Sequence, residues 1–150
     1  MSRRGAEVEN DSHDEWTLRY DRFDPQHELV RKALCTLGNG YFGTRGAAPE
    51  SHADGIHYPG TYVAGLYNRR STEVAGREVE NESMVNLPNW LPLNFRIDDQ
   101  PWFEPGETNI LDYEQELNLR QAILTRRLRV SDSSGRVTLV EQRRFVSMAN

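Results

Sequence analysis

The chain has 150 residues, of which 37% are hydrophobic and 27% are charged, and its formal net charge is −5. This length suits one domain with its own core, and no apolar run approaches the ~20 residues that a membrane helix needs. The acidic balance argues against nucleic acid as the main partner, because phosphate binding requires a concentrated basic face.

The first stretch, residues 1–14, is polar and acidic and lacks the apolar segment of a signal peptide. We expect a disordered acidic tail there, followed by one domain over residues 15–150. The single cysteine, Cys35, cannot form an internal disulfide, which suits a reducing compartment and a cytoplasmic protein. Its apolar helical surroundings favour a buried small hydrophobe over a nucleophile.

Residues 16–20 alternate large apolar and polar side chains, which predicts a strand. Asp24 and Pro25 are typical of a helix start, and we predict one short amphipathic helix near residues 25–37. The apolar residues at helical spacing are expected on the buried face, and the charged residues on the other. The expected buried residues are Leu29, Val30, Ala33, Leu34 and Leu37, and the expected polar ones are His27, Arg31 and Lys32.

Four glycines follow, Gly38, Gly40, Gly43 and Gly46, and we interpret them as structural because such density indicates positive φ or a close neighbour. Their spacing also fits the dinucleotide-binding fingerprint, which needs a strand before the glycines and a helix after them. Here the helix comes first and a loop with Pro49 follows. The order of the elements therefore argues against a nucleotide site.

In the loop from residue 46 to 58, His52 and His57 flank Asp54. Metal sites usually need three or four rigidly held ligands, so we interpret the histidines as solvated and expect no metal. The loop leads into a short predicted aromatic strand. Its rings either stack on sugars or belong to the core, and both interpretations stay open. The rings are those of Tyr58, Tyr62 and Tyr67.

Residues 69–83 are polar and charged, and we expect a connecting excursion there. Trp90 stands between Pro88 and Pro92, which exclude a central strand or a helix. The prolines are expected to hold the Trp90 ring in place, either inside the core or as a wall of a site. Alternation from residue 93 to 97 suggests a further strand.

Three longer strand patterns follow, at residues 113–123, 124–130 and 136–146, with residues 131–135 as a hairpin turn. The arginines from Arg120 onward are expected mainly at exposed alternate positions of these strands. One helix with at least six strands predicts a mainly β fold, an antiparallel β-sandwich. The last strand pattern finishes at the end of the chain, so we expect a truncated part of a larger domain.

Several blocks, in order, resemble the N-terminal domain of glycoside hydrolase family 65, whose members include maltose, trehalose and kojibiose phosphorylases and some hydrolases of α-linked disaccharides. The blocks are residues 37–46, 58–68, 86–90, 110–113, 116–120, 124–126 and 143–148. The segment 121–123 departs from the pattern, because a glycine is expected there before the next strand.

The resemblance implies a β-super-sandwich domain that precedes a helical linker and an (α/α)6-barrel. The family's general acid, a glutamate, and its phosphate-binding residues lie in that barrel. Inverting phosphorolysis would use this glutamate to protonate the leaving oxygen while inorganic phosphate, as co-substrate, attacks the anomeric carbon; a hydrolase would use water. We therefore assign no catalytic residue here and expect no cofactor. The unassigned carboxylates include Asp98, Asp99, Asp112, Glu114 and Glu116.

We interpret the chain as the non-catalytic N-terminal domain of an inverting α-glucoside phosphorylase or hydrolase. Its expected partners are the missing barrel, an α-linked disaccharide and, in a homodimer, a second copy. The alternative is a stand-alone carbohydrate-binding module. The candidate docking or substrate-binding residues are Arg45, Tyr58, Tyr62, Tyr67 and Trp90.

Overall fold

A computed structural model describes residues 15–54 and 59–149. Their elements are β1 (Thr17–Tyr20), α1 (Glu28–Leu34), β2 (Leu37–Gly38), β3 (Phe42–Thr44), β4 (Thr61–Val63), β5 (Tyr67–Val74), β6 (Arg77–Met84), β7 (Asn109–Asn118), β8 (Ile123–Ser131) and β9 (Val137–Arg144). The prediction of a mainly antiparallel β fold with one short helix is confirmed. The expected disordered tail, residues 1–14, lies outside the described residues.

The main sheet has the strand order β1-β7-β8-β9, and every neighbouring pair is antiparallel. Side chains alternate across it as the sequence predicts: Leu128 and Val130 of β8 are buried, while Arg129 between them is exposed. The predicted hairpin joins β8 to β9. There the Asp132 carboxylate accepts hydrogen bonds from the N–H groups of Ser134 and Arg136, both at 2.9 Å.

The inner face of the main sheet meets a second layer made of the region around α1, the small sheet β2-β3-β4 and the segment from residue 95 to 103. Cys35 and Leu37 pack against Leu117 and Leu124 in one core cluster. A second cluster joins Phe103 to Tyr113, Leu128 and Val130. Cys35 is fully buried, as predicted for a small hydrophobe.

The outer face of the main sheet is charged. Glu114 on β7 pairs with Arg19 on β1 and, at 3.1 Å, with Arg127 on β8. Arg127 in turn lies 3.2 Å from Glu141 on β9, which also pairs with Arg143. The arginines of this region thus do occupy exposed alternate positions, but Arg126 and Arg144 are exceptions that point to the inner side, where Arg126 is buried.

Helix α1 is shorter than predicted, and its expected apolar face is on the outside. Leu29, Val30 and Leu34 are 48%, 58% and 55% exposed, whereas Arg31 and Lys32 are buried. Of the expected buried set, Leu37 lies in the core, but as part of β2.

The charged face of the helix can be buried because other protein groups replace the water that its side chains lose. The Arg31 guanidinium lies 4.6 Å from the centre of the Tyr20 ring and donates a hydrogen bond of 2.7 Å to the Arg22 carbonyl oxygen. Asp24 does not cap the helix: its carboxylate pairs with His27 at 2.8 Å and accepts the Gln26 N–H at 3.1 Å. None of the described helices is long and apolar enough to cross a membrane.

The segment 69–83, expected to be a connecting excursion, instead forms most of a β-hairpin. β5 and β6 pair over eight residues each, and every residue of both strands is exposed. The tight turn places Ala75 and Gly76 at φ of 52° and 74°. The prediction was wrong because strands that bury neither face carry no hydrophobic alternation.

Residues 93–97 alternate between apolar and polar types in the sequence, but they do not form the predicted strand, and Leu93 is exposed. Phe95 accepts a single backbone hydrogen bond of 2.9 Å from the Phe103 N–H, and the two rings stack with centroids 5.0 Å apart. The alternation thus reflects a stacked pair on the second core cluster rather than a ladder of hydrogen bonds.

Candidate functional site

The glycine segment forms the tight β2–β3 hairpin. Asn39 begins the turn, because its side-chain oxygen accepts the N–H groups of Tyr41 at 2.9 Å and Phe42 at 2.8 Å. Gly40 adopts a φ of +82°, which favours glycine. The turn therefore fixes the positions of the two aromatic residues that follow Gly40, Tyr41 and Phe42.

Gly46 is required for a different reason. A Cβ at this position would lie 2.5 Å from Cys35 Cβ and 2.6 Å from the Cys35 carbonyl oxygen. Gly38 is also closely approached, by the Phe42 carbonyl oxygen at 2.9 Å from a Cβ, whereas nothing lies within 4 Å of one on Gly43. A structural role for Gly43 stays a prediction.

Arg45 and Tyr62, both expected in the site, contact each other. Gly43 and Tyr62 are register partners in the β3–β4 pair, and Arg45 follows β3 directly. The Arg45 Nε–H donates to the Tyr62 hydroxyl at 3.3 Å, and its guanidinium lies 5.9 Å from the ring centre. The arginine thus holds the tyrosine ring against the small sheet.

Trp90 meets an aromatic residue that the sequence argument missed. Its ring makes an edge contact with Phe42, with centroids 5.7 Å apart, and Tyr41 lies 6.0 Å from the Phe42 ring. The segment before Trp90 is tied to β4 by the bond from the Leu87 N–H to the Thr61 carbonyl oxygen, at 2.8 Å. The position of Tyr41 and Phe42 beside a turn glycine was the signal that could have identified them.

A shallow cavity of about 560 Å³ opens between the end of α1, the small sheet and the base of the β5–β6 hairpin. Arg45 and Tyr62 line it together with Tyr41, Phe42 and Met84. Tyr67, a further expected residue, pairs with Met84 across the hairpin and is half exposed. Tyr58 and His57 lie outside the described residues.

The exposed face of α1 continues this cavity. Ala33 lines the cavity, and Leu29 and Val30 stand four and three residues before it, on the same side of the helix. With the aromatic rings they form one patch, which we call the apolar surface. It comprises Leu29, Val30, Ala33, Leu34, Tyr41, Phe42, Tyr62, Met84 and Trp90.

The chain matches the family model described as glycosyl hydrolase family 65, N-terminal domain, over residues 18–150. It belongs to this family.

Among its relatives, a protein described as an uncharacterized glycosyl hydrolase of Mycobacterium tuberculosis is 54% identical over 135 residues, or 90% of this chain and 10% of its own. A trehalose 6-phosphate phosphorylase of Lactococcus lactis is 38% identical over 143 residues, 91% of this chain and 17% of its own. A kojibiose phosphorylase of Caldanaerobacter subterraneus is 30% identical over 135 residues, 90% of this chain and 16% of its own.

A solved kojibiose-phosphorylase-like chain from the human microbiome has the same fold, with a TM-score of 0.67 at 23% identity. The match covers 79% of this chain and 16% of the solved one. Across these comparisons the family 65 chain described here therefore spans only about a tenth to a sixth of the proteins that it matches.

Three titratable groups of this family 65 domain that lie in and beneath α1 have perturbed pKa values. Burial raises the pKa of Glu28, against the opposing effect of Lys32 and Arg31, and burial lowers the pKa of Lys32. Burial also raises the pKa of the Cys35 thiol. These shifts belong to a packed interior, so they give no reason to place chemistry there.

Residues 15–54 and 59–149 contain no group of three or more side chains positioned to hold a metal ion. Of the carboxylates considered from the sequence, Glu114 is engaged with Arg19 and Arg127 on the charged outer face. The described residues do offer an exposed apolar and aromatic surface.

Proposed function

We propose that this chain is the non-catalytic N-terminal domain of a larger α-glucoside phosphorylase or hydrolase and that its apolar surface docks on the catalytic barrel. The family membership and the phosphorylases among the relatives support the proposal. The parent enzyme would cleave an α-linked glucose disaccharide with inversion, using inorganic phosphate as co-substrate or water. It would act in the cytoplasm as a homodimer.

The observation that carries the docking proposal is the outward apolar face of α1. Leu29, Val30 and Leu34 are aliphatic, so they cannot hydrogen-bond a sugar hydroxyl, and each releases about 1.5–3 kcal/mol when fully buried. Contiguous exposed apolar patches of this kind mark interaction surfaces. A protein surface is therefore a better match for this face than a disaccharide.

The test is Leu34→Ser, with Leu139→Ser as the matched control. Leu139 is 69% exposed on the outer side of β9, beside charged residues. In the isolated chain, both substitutions should leave Tm nearly unchanged, because both side chains are already exposed. In the parent enzyme, Leu34→Ser should lower Tm by several degrees and Leu139→Ser should not. Equal effects of the two substitutions in the parent would contradict docking through α1.

A second candidate function, a carbohydrate-binding module, is favoured by the exposed rings of Tyr41, which lines the cavity with Arg45, and of Trp90, which contacts Phe42 at the same cavity. Aromatic faces with adjacent polar groups suit sugar rings. Tyr62→Ala and Trp90→Ala in the parent enzyme separate the two functions. Docking predicts a lower Tm with little change in KM, whereas sugar binding predicts a large rise in KM at unchanged Tm.

A further inference from the structure

A second cavity, of about 320 Å³, lies at the β9 edge of the main sheet, away from the apolar surface. Its charged wall contains Arg126 and Arg144, which extend from the inner side of β8 and β9. The opposite wall is apolar and includes Ala47, Leu91 and Leu93. Charges that face such a wall are poorly screened by water and so interact strongly with any ion that enters.

The charges around this cavity do not balance. Arg126 is neutralised by Glu50 at 2.5 Å, and both side chains are about 95% buried. At the rim, Arg143 pairs at 2.8 Å with Glu141, a carboxylate that it shares with Arg127. Arg144 donates to the Arg45 carbonyl oxygen at 3.1 Å, and no carboxylate of the described residues lies within ion-pair distance of it.

The electrostatic surroundings of Arg144 agree with a missing anion. Burial and the neighbouring Arg126 lower the pKa of Arg144, and the opposing effect of Glu50 does not offset them, as expected for a cation that lacks a full counter-charge.

We propose that this cavity is a carboxylate-binding site, with Arg144 as the principal ligand. The planar guanidinium fork matches a carboxylate in a bidentate geometry. The single surplus positive charge and the apolar wall suit a monoanion on a short carbon skeleton better than a doubly charged, strongly hydrated phosphate. The carboxylate comes either from a small organic acid or from an acidic side chain of a further polypeptide segment.

The test is thermal unfolding of the chain in sodium propionate against sodium chloride at equal ionic strength. Propionate should raise Tm saturably, by about 3–6 °C at ten times its dissociation constant. Arg144→Gln should abolish this response. In chloride alone, the same substitution should leave Tm unchanged or raise it, because it removes a surplus buried cation.

Arg129→Gln is the matched control, since Arg129 is an exposed arginine of the outer face and should keep the full response. Repeating the titration in the parent enzyme separates the two sources of the carboxylate. If propionate still raises the Tm of the parent enzyme, the site binds a small acid. If propionate no longer raises the Tm and Arg144→Gln now lowers it, the site is filled by an acidic side chain of the same protein. No response in the chain, an equal response in Arg144→Gln, or a response to inorganic phosphate alone would overturn the proposal.

Discussion

At the residue scale, the interior contains charges as well as apolar groups. Glu50 and Arg126 form an ion pair that is almost completely buried, and Arg126 also stands 5.8 Å from the ring centre of Tyr113. A pair of this kind contributes little net stability compared with an apolar pair, but losing one partner leaves the other charge buried and uncompensated.

Glu50→Gln should therefore be costly. We expect the free energy of unfolding to fall by about 3 kcal/mol, because Arg126 keeps its charge and loses its counter-ion. Urea unfolding at pH 7 measures this loss. The matched change Glu114→Gln, in an exposed ion pair, should cost less than about 1 kcal/mol. Similar losses for the two variants would show that burial does not set the strength of these pairs.

Tyr113 provides a test of burial through pH. Burial raises the pKa of Tyr113 to about 12. Between pH 10 and 12 the unfolded chain therefore loses the phenolic proton while the folded chain keeps it, so stability falls as the pH rises, by about 2–3 kcal/mol over that range.

In Tyr113→Phe this contribution should vanish. Tyr20, whose pKa burial also raises, is unchanged in the variant, so the difference between the two proteins isolates Tyr113. Unfolding in urea at several pH values from 9 to 11.5 gives the two curves. Parallel curves would mean that Tyr113 ionises in the folded chain as easily as in the unfolded one.

At the scale of elements, two turns carry alanine where the backbone favours glycine. Ala122, in the β7–β8 turn, has a φ of 53°, and Ala75, at the tip of the β5–β6 hairpin, has a φ of 52°. The first lies in segment 121–123, where the resemblance to family 65 leads one to expect a glycine. The left-handed conformation explains that expectation, because a Cβ costs about 1–2 kcal/mol there.

Ala122→Gly should raise the free energy of unfolding by about 0.5–1 kcal/mol, since the relief of strain exceeds the entropy cost of glycine.

Ala75→Gly should stabilise only the β5–β6 hairpin, unlike Ala122→Gly. The β5–β6 hairpin is exposed along its whole length, so its opening is not coupled to the core. Hydrogen exchange should show slower exchange confined to β5 and β6 for Ala75→Gly, and throughout the main sheet for Ala122→Gly. The reverse pattern would contradict this division.

The sequence predicted those elements in which the spacing of the hydrophobic residues reflects which side chains are buried. In β8 the alternation identified Leu128 and Val130 as inner residues and Arg129 as an outer one, but it placed Arg126, which is buried, on the wrong side. For α1 the helical spacing of the apolar residues was predicted correctly, but the face of the helix that is buried was not. The spacing alone does not show which face of a helix finds contact partners in the fold. Arg31 found them in the Tyr20 ring and the Arg22 carbonyl, which no local pattern reveals.

The candidate site was predicted in part for the same reason. Arg45, Tyr62 and Trp90 were identified as candidate docking or substrate-binding residues. That role stays a prediction, but the structure places Arg45 against Tyr62. The contact between Phe42 and Trp90 joins residues 48 positions apart, and it depends on how the proline-bounded segment crosses β4. Long-range contacts of this kind could not be read from spacing along the chain.

At the scale of the whole molecule, the described residues supply surfaces, whereas the chemistry of the proposed enzyme would lie elsewhere in the polypeptide. We expect the purified 150-residue chain to show no turnover of maltose, trehalose or kojibiose, with or without inorganic phosphate. Assays of released glucose and glucose phosphate test this, with the parent enzyme as positive control. Turnover by the chain that survives repurification would contradict the non-catalytic role.

The pairing of β1 with β7 has a consequence for synthesis of the protein. Thr17 faces Asn118, so roughly 100 residues must be made between the two strands, which takes about 5–20 s at ribosomal rates. During that interval β1 and the layer around α1 have left the ribosome without the sheet that they cover. The future core residues Cys35 and Leu37, and Leu18 beside them, are then exposed together. The nascent chain should therefore recruit chaperones before β7 emerges and release them once the main sheet closes.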